Sequence, residues 1–104
     1  MIGIQISLNG KLLYTVGVGE FGSLVAGVDW TRNATPEGSI VETLWVGAKG
    51  YQDLPLKDSY GLKHSYWQNH AIKVGDEISI RIVETDSPDQ PLPGHPDFPF
   101  SVSN

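Results

Sequence analysis

The chain has 104 residues, with twelve acidic and seven basic side chains, a formal charge of −5 and no cysteine. That is the length of one domain, able to bury a core without disulfides. The acidic balance lacks the Lys/Arg stripe that neutralises phosphates, so nucleic acid and anionic membrane surfaces are set aside as direct partners.

No apolar run reaches the roughly 18–20 residues of a membrane span. The opening residues carry neither the basic nor the apolar region of a signal peptide. A cytoplasmic protein is therefore expected.

In chain order, Ile2, Ile4, Ile6 and Leu8 alternate with Gly3, Gln5, Ser7 and Asn9, which predicts a first strand. Asn9-Gly10 signals a reverse turn into Leu12 to Val16. A two-residue loop would set Ile6 opposite Leu13. A three-residue loop with Gly10 left-handed would set Ile6 opposite Leu12, Ile4 opposite Tyr14 and Ile2 opposite Val16. The second pairs apolar with apolar along the face and is the expected register.

Gly17, Gly19 and Gly22 spell G-x-G-x-x-G, but a nucleotide loop needs a helix after it. Leu24, Ala26, Val28 and Trp30 alternate instead, so the motif is expected to be a glycine-rich link between strands. Residues 32–38 read as a loop, and Asn33-Ala34-Thr35 as a chance match to a glycosylation acceptor. Ser39 to Val46 is a strand with apolar groups on both faces, either covered on both sides or meeting a partner on one.

Gly47 to Gly61 reads as the longest irregular stretch, of a length that is usually functional or mobile. A strand follows over Leu62 to Gln68. The most regular stretch is the Lys73-Val74-Gly75-Asp76 turn followed by Ile78, Ile80 and Ile82 alternating with Glu77, Ser79 and Arg81. It predicts a half-buried strand around which the others are organised, with Gly75 at positive φ. Residues 85–104 form a Pro-rich segment expected to pack on the domain, with Phe98, Phe100 and Val102 able to dock as an edge strand.

No segment holds a helical period. The expected fold is all-β: an antiparallel sandwich, or barrel, of six to eight short strands in a single domain over residues 1–104. The expected core is Ile4, Ile6, Leu12, Tyr14, Leu24, Val28, Ile40, Leu44, Ile78, Ile80 and Ile82.

Chemistry is sparse. His64, His70 and His95 lack the spacing of metal ligands. Ser65 and His64 are strand neighbours pointing to opposite faces, and no nucleophile elbow exists. Asp29 and Glu42 could face each other across strands, but solvated surface carboxylates are the simpler reading. A non-enzymatic protein without metal or cofactor is expected.

Recognition remains. Trp30, Trp45 and Trp67, with Tyr51, Tyr60 and Tyr66 among Asp53, Lys57 and Asp58, resemble an interface in composition. The candidate partner-binding residues are Tyr51, Asp53, Asp58 and Tyr60, followed by Glu20 and Glu42. Ordinary strand coverage by Tyr66 and Trp67, and a carbohydrate platform, are the competing uses of these aromatics.

The spacing of Asn9-Gly10, Gly17-Val18-Gly19, Trp30, Val46-Gly47, Trp67 and Val74-Gly75-Asp76-Glu77-Ile78, with Ile80, Ile82 and Glu84, resembles a group of small bacterial all-β proteins of uncharacterised function. It covers residues 2–86. In size, charge and architecture the chain also resembles immunity proteins of contact-dependent growth inhibition systems. That resemblance implies a cytoplasmic monomer that binds and neutralises a basic toxin domain, often a nuclease, by covering its active site. Immunity proteins share no motif, so the resemblance assigns no residue. A self-associating structural domain and a carbohydrate or small-ligand module are the alternatives.

Overall fold

A computed structural model describes the backbone of residues 1–56, 59–93 and 97–100, and the side chains of residues 1–53 and 61–93. Eight strands occur in these residues: β1 (Ile2–Leu8), β2 (Lys11–Val16), β3 (Gly22–Ala34), β4 (Ile40–Leu56), β5 (Ser59–Tyr66), β6 (His70–Ala71), β7 (Ile78–Glu84) and β8 (Asp97–Phe100). They form two antiparallel sheets, one ordered β2-β1-β7 and one ordered β3-β4-β5-β8 with β6 also on β4. The expected all-β class is observed, as an open sandwich rather than a barrel.

Alternation in β1 turns Ile4 and Ile6 inward, where they meet Val16 and Tyr14 on β2. Facing them from the larger sheet are Val46 and Ala48. With Trp67 these make the buried core: Ile6, Tyr14, Val16, Val46, Ala48 and Trp67, flanked by Ile4, Leu13, Val18, Leu24, Ala26, Ile72 and Ile78. Tyr14 donates its hydroxyl to the Gln68 carbonyl at 3.0 Å, and burial raises its pKa. The Trp67 indole donates to the Asp89 carbonyl at 2.9 Å. Both polar tips are satisfied, as large amphipathic rings in a small core require.

The hairpin register is not the expected three-residue one; the two-residue alternative holds next to the turn and is then shifted. Asn9 (φ 52°) and Gly10 (φ 82°) form a two-residue turn with both residues left-handed, and Ser7 pairs with Leu12. A bulge at Leu13 then shifts the ladder so that Ile6 meets Tyr14 and Ile4 meets Val16. Apolar still faces apolar, but the correction is made inside β2 instead of at the turn. Leu12 lies before the bulge and so shares Ser7's outer face, which leaves this expected core residue exposed.

Gly75 does take positive φ (97°), in a turn closed by the Asp76 N–H on the Lys73 carbonyl. The Asp76 carboxylate accepts from the Asn9 side chain and the Lys73 N–H, and Asn9 in turn accepts from the Glu77 N–H. These bonds hold the two turns together. The Asn9 bond first, then the Lys73 bond, lowers the Asp76 pKa.

β7 is not the centre of the fold. It is the edge of the smaller sheet, where Ile80 and Ile82 pair with Ile6 and Ile4 yet stay 49% and 63% exposed. Val28 and Ile40 lie on the inner face of the larger sheet but are also exposed, because the smaller sheet does not reach them. Periodicity identifies a face; it does not say that another sheet covers it.

The expected long loop is a hairpin. β4 runs unbroken through residues 47–56 and β5 begins at Ser59, and β3 extends to Ala34, inside the expected 32–38 loop. The glycines that suggested a loop are close-approach positions: a Cβ on Gly47 would collide with the Asn69 side chain, and one on Gly50 with the Ser23 carbonyl. The G-x-G-x-x-G stretch leads into strand β3, as expected. The molecule is flat, 50 × 38 × 19 Å. Its radius of gyration is 16.7 Å, against about 13 Å for a compact chain of this length.

Candidate binding face

Directly opposed residues of an antiparallel pair share a face, so register defines the outer surface of the larger sheet. On it lie Val25, Gly27 and Asp29 of β3, Trp45, Gly47, Lys49, Tyr51 and Asp53 of β4, and Leu62, His64 and Tyr66 of β5. Gly27 pairs with Gly47, so the centre of this face has no side chains on two adjacent strands. Trp45 precedes Gly47 by two residues. Lys49 follows it by two and pairs with Tyr66.

The result is a groove of about 400 Å³, floored by the glycine pair and walled by Trp45, Tyr66 and Val25, with Asp29, Lys49 and Asn69 on its lining. Trp45 and Lys49 are four residues apart, roughly 13 Å along the strand. That width accommodates a ring or a long side chain lying on the glycine floor. A Cβ on Gly27 would have nothing within 4 Å, whereas the position above Gly47 is taken by Asn69. Beyond Lys49 the face continues into a second hollow of about 250 Å³ lined by Ser23, Tyr51 and His64, the two rings tilted at 6.1 Å.

Two of the six expected partner-binding residues belong to this face. Tyr51 lines the second hollow, and Asp53 follows on β4, half-buried. Both sit on a strand and not on the loop expected for them. Asp58 and the side chain of Tyr60 lie outside the described residues; the Tyr60 backbone pairs with Pro55 and Phe100.

Glu20 and Glu42 are elsewhere. Glu20 is exposed, 3.6 Å from the Met1 amino group, which also donates to Glu84. Glu42 pairs with Arg32 on the inner side of the hairpin and accepts from the Trp30 indole at 3.0 Å, so it does not face Asp29. Gln52, opposite Gly22, is ten residues from Glu42 along β4, roughly 33 Å. Glu20 and Glu42 therefore belong to opposite ends of the hairpin and form no common site.

Sequence reading missed Gly27, Gly47 and Asp29 as site-forming residues. The signal was present: two glycines twenty apart, each inside an alternating run, with Asp29 two residues after one and Trp45 and Lys49 two residues either side of the other.

The face offers surfaces for stacking and hydrogen bonding rather than an acid–base pair. Among the described residues no group of three His, Cys, Asp or Glu side chains is arranged to hold a metal ion. No helix among them is long and apolar enough to cross a membrane. No protein-family model, curated protein or solved structure matches the chain.

Proposed function

We propose that this is a non-enzymatic binding protein that takes a basic protein partner on the outer face of its larger sheet. The observation that carries this reading is the glycine-floored groove between Trp45 and Tyr66. A lysine or arginine from the partner can lay its apolar stem on the open Gly27 floor beside Asn69, present its cation to the aromatic walls and reach Asp29 at the rim. Tyr51 and Asp53 extend the contact. The charge of −5 steers such a partner inward, while the aromatic anchors set its residence time.

Within that class, the size and acidity of the chain favour an immunity protein acting in the cytoplasm. It would cover the cationic active site of a toxin domain, a nuclease being the natural match for an acidic surface. A second reading is supported by the polar lining: Asp29, Lys49 and Asn69 beside an aromatic wall could hold the hydroxyls of a sugar ring stacked on Trp45.

The test is capture of partners by tagged protein co-expressed with its neighbouring open reading frames, compared with Gly27→Val. Valine favours a strand, and a Cβ at this position meets open space, so the variant should fold. A basic partner, toxic alone and released by Gly27→Val and by Trp45→Ala, is the expected result. A partner held equally by both variants would remove this face from the interface. Glycan binding without a protein partner would replace the first reading by the second.

A further inference from the structure

Among the described residues the sheets end in β2 and β7 on one side of the sandwich and in β3 and β8 on the other. The β2 edge is met by the C-terminal segment, where the Asp89 N–H donates to the Thr15 carbonyl and the Asp89 carboxylate accepts from the Thr15 N–H. β5 carries β8, and the Leu92 N–H donates to the Tyr66 carbonyl. β4 is flanked by β3 on one side and by β5, β6 and the Ile72 N–H on the other.

β3 is different. Its 13 residues end the larger sheet. The ladder to β4 runs from Gly22–Gln52 to Ala34–Ile40 without a bulge. The strand contains no Pro or Lys and exposes Val25, Val28 and Trp30. Its only charged residues are Asp29 and Arg32, so the edge lacks the Pro, Lys and bulge that most strongly block pairing.

The hydrogen-bond parity of the free edge follows from one bond. The Asp53 N–H donates to the Phe21 carbonyl, so odd-numbered residues of β3 bond to β4. Even-numbered residues, Val28 and Trp30 among them, point their N–H and C=O groups outward.

We propose that two copies of this chain pair antiparallel through β3, centred on Val28 against Val28, so that each copy places its Asp29 beside Gly27 in the other's groove. A two-fold axis perpendicular to the sheet requires like parity across the pair. The register centred on Val28 alone uses the strand from Gly22 to Ala34 in full. It sets Ala26 against Trp30, Val25 against Thr31 and Gly27 against Asp29 of the second copy.

Moving the centre to Asp29 would oppose two like charges, and moving it to Trp30 would leave Gly22 to Val25 unpaired. Electrostatics and length select the same register. The outer faces fall on one side, giving two adjoining grooves, each with an aspartate from both copies.

The exposed surface allows it. The chain exposes 7314 Å², where a compact monomer of its mass exposes roughly 5,700 Å². A standard interface covers about 800 Å² per partner. The proposed pairing departs from the monomer expected from the sequence. It stands on the edge alone and does not depend on what the groove binds.

The experiment is light scattering on the purified protein, joined to two variants. The expected mass is twice 11.3 kDa at high concentration, falling toward the monomer on dilution. Val28→Pro removes an outward N–H without touching the β3–β4 ladder, and should give a monomer that melts close to the parent.

Val25→Cys with Thr31→Cys should oxidise to a covalent dimer, because the two positions oppose each other only between copies and the chain has no other thiol. Within one strand they are six residues apart, too far for a disulfide. Either single cysteine should cross-link far more slowly. A monomer at every concentration overturns the proposal. So does a dimer that survives Val28→Pro and leaves the cysteine pair reduced, since it would use another surface.

Discussion

The body of the sandwich and the far end of the β3–β4 hairpin are built from similar residues and meet different fates. In the body, Ile6, Val16 and Val46 are fully buried between two sheets. At the hairpin end, Val28, Trp30, Ile40 and Val41 are all more than half exposed. The apolar pattern is as regular in one region as in the other. What differs is whether a second layer lies opposite. The body buries its apolar face between two sheets, while the hairpin end carries apolar surface that no other described residue covers.

The sharpest break between the regions should come from truncating isoleucines on opposed strands. Ile6→Ala should destabilise by about 3 kcal/mol, as buried truncations do, whereas Ile82→Ala, its neighbour on the same face, should cost under about 0.5 kcal/mol. Urea unfolding of both variants measures the difference, and equal losses would erase the distinction between covered and uncovered faces.

Glycines should divide in the same way. Gly50→Ala drives a Cβ into the Ser23 carbonyl and to 2.9 Å from a Val18 methyl, and should cost about 2 kcal/mol by overpacking. Gly27→Ala meets open space and should be neutral or slightly stabilising in thermal melts. Smaller again is Tyr14→Phe, which leaves the Gln68 carbonyl without its donor and should cost about 1 kcal/mol.

The smallest effect is electrostatic. The Asp76 pKa lies below its ordinary value near 3.8, so its carboxylate stabilises the fold above that pH, and the contribution is lost as the pH falls through the lowered value. Asp76→Asn should flatten the acid limb of a melting-temperature profile, and an unchanged limb would remove Asp76 from the acid response.

Much of this was readable in the sequence. Alternation at Ile2 to Leu8, Leu24 to Trp30 and Ile78 to Ile82 located three strands, and the Asn9-Gly10 and Gly75 turns were read from residue chemistry alone. Phe98 and Phe100 do lie in an edge strand on β5. The failures have physical causes. Gly47, Gly50 and Pro55 looked like strand breakers, yet the glycines admit Asn69 and Val18 against the backbone, information held only in the tertiary structure. The Leu13 bulge reversed the face of Leu12 without leaving a mark in composition. Tyr51 and Asp53 were chosen for a loop and belong to a strand. The groove between Trp45 and Tyr66 depends on Gly27 lying opposite Gly47, a register that neither strand specifies by itself.

The most direct test of an unpaired β3 edge is residue-resolved amide exchange along β3 as a function of protein concentration. In dilute protein, the Val25 and Asp29 amides should be protected by β4 while those of Val28 and Trp30 exchange freely. Raising the concentration should slow Val28 and Trp30 selectively. Protection of both sets at high dilution, or free exchange of Val28 and Trp30 at every concentration, would contradict an edge that is open in the monomer and closed by a second copy.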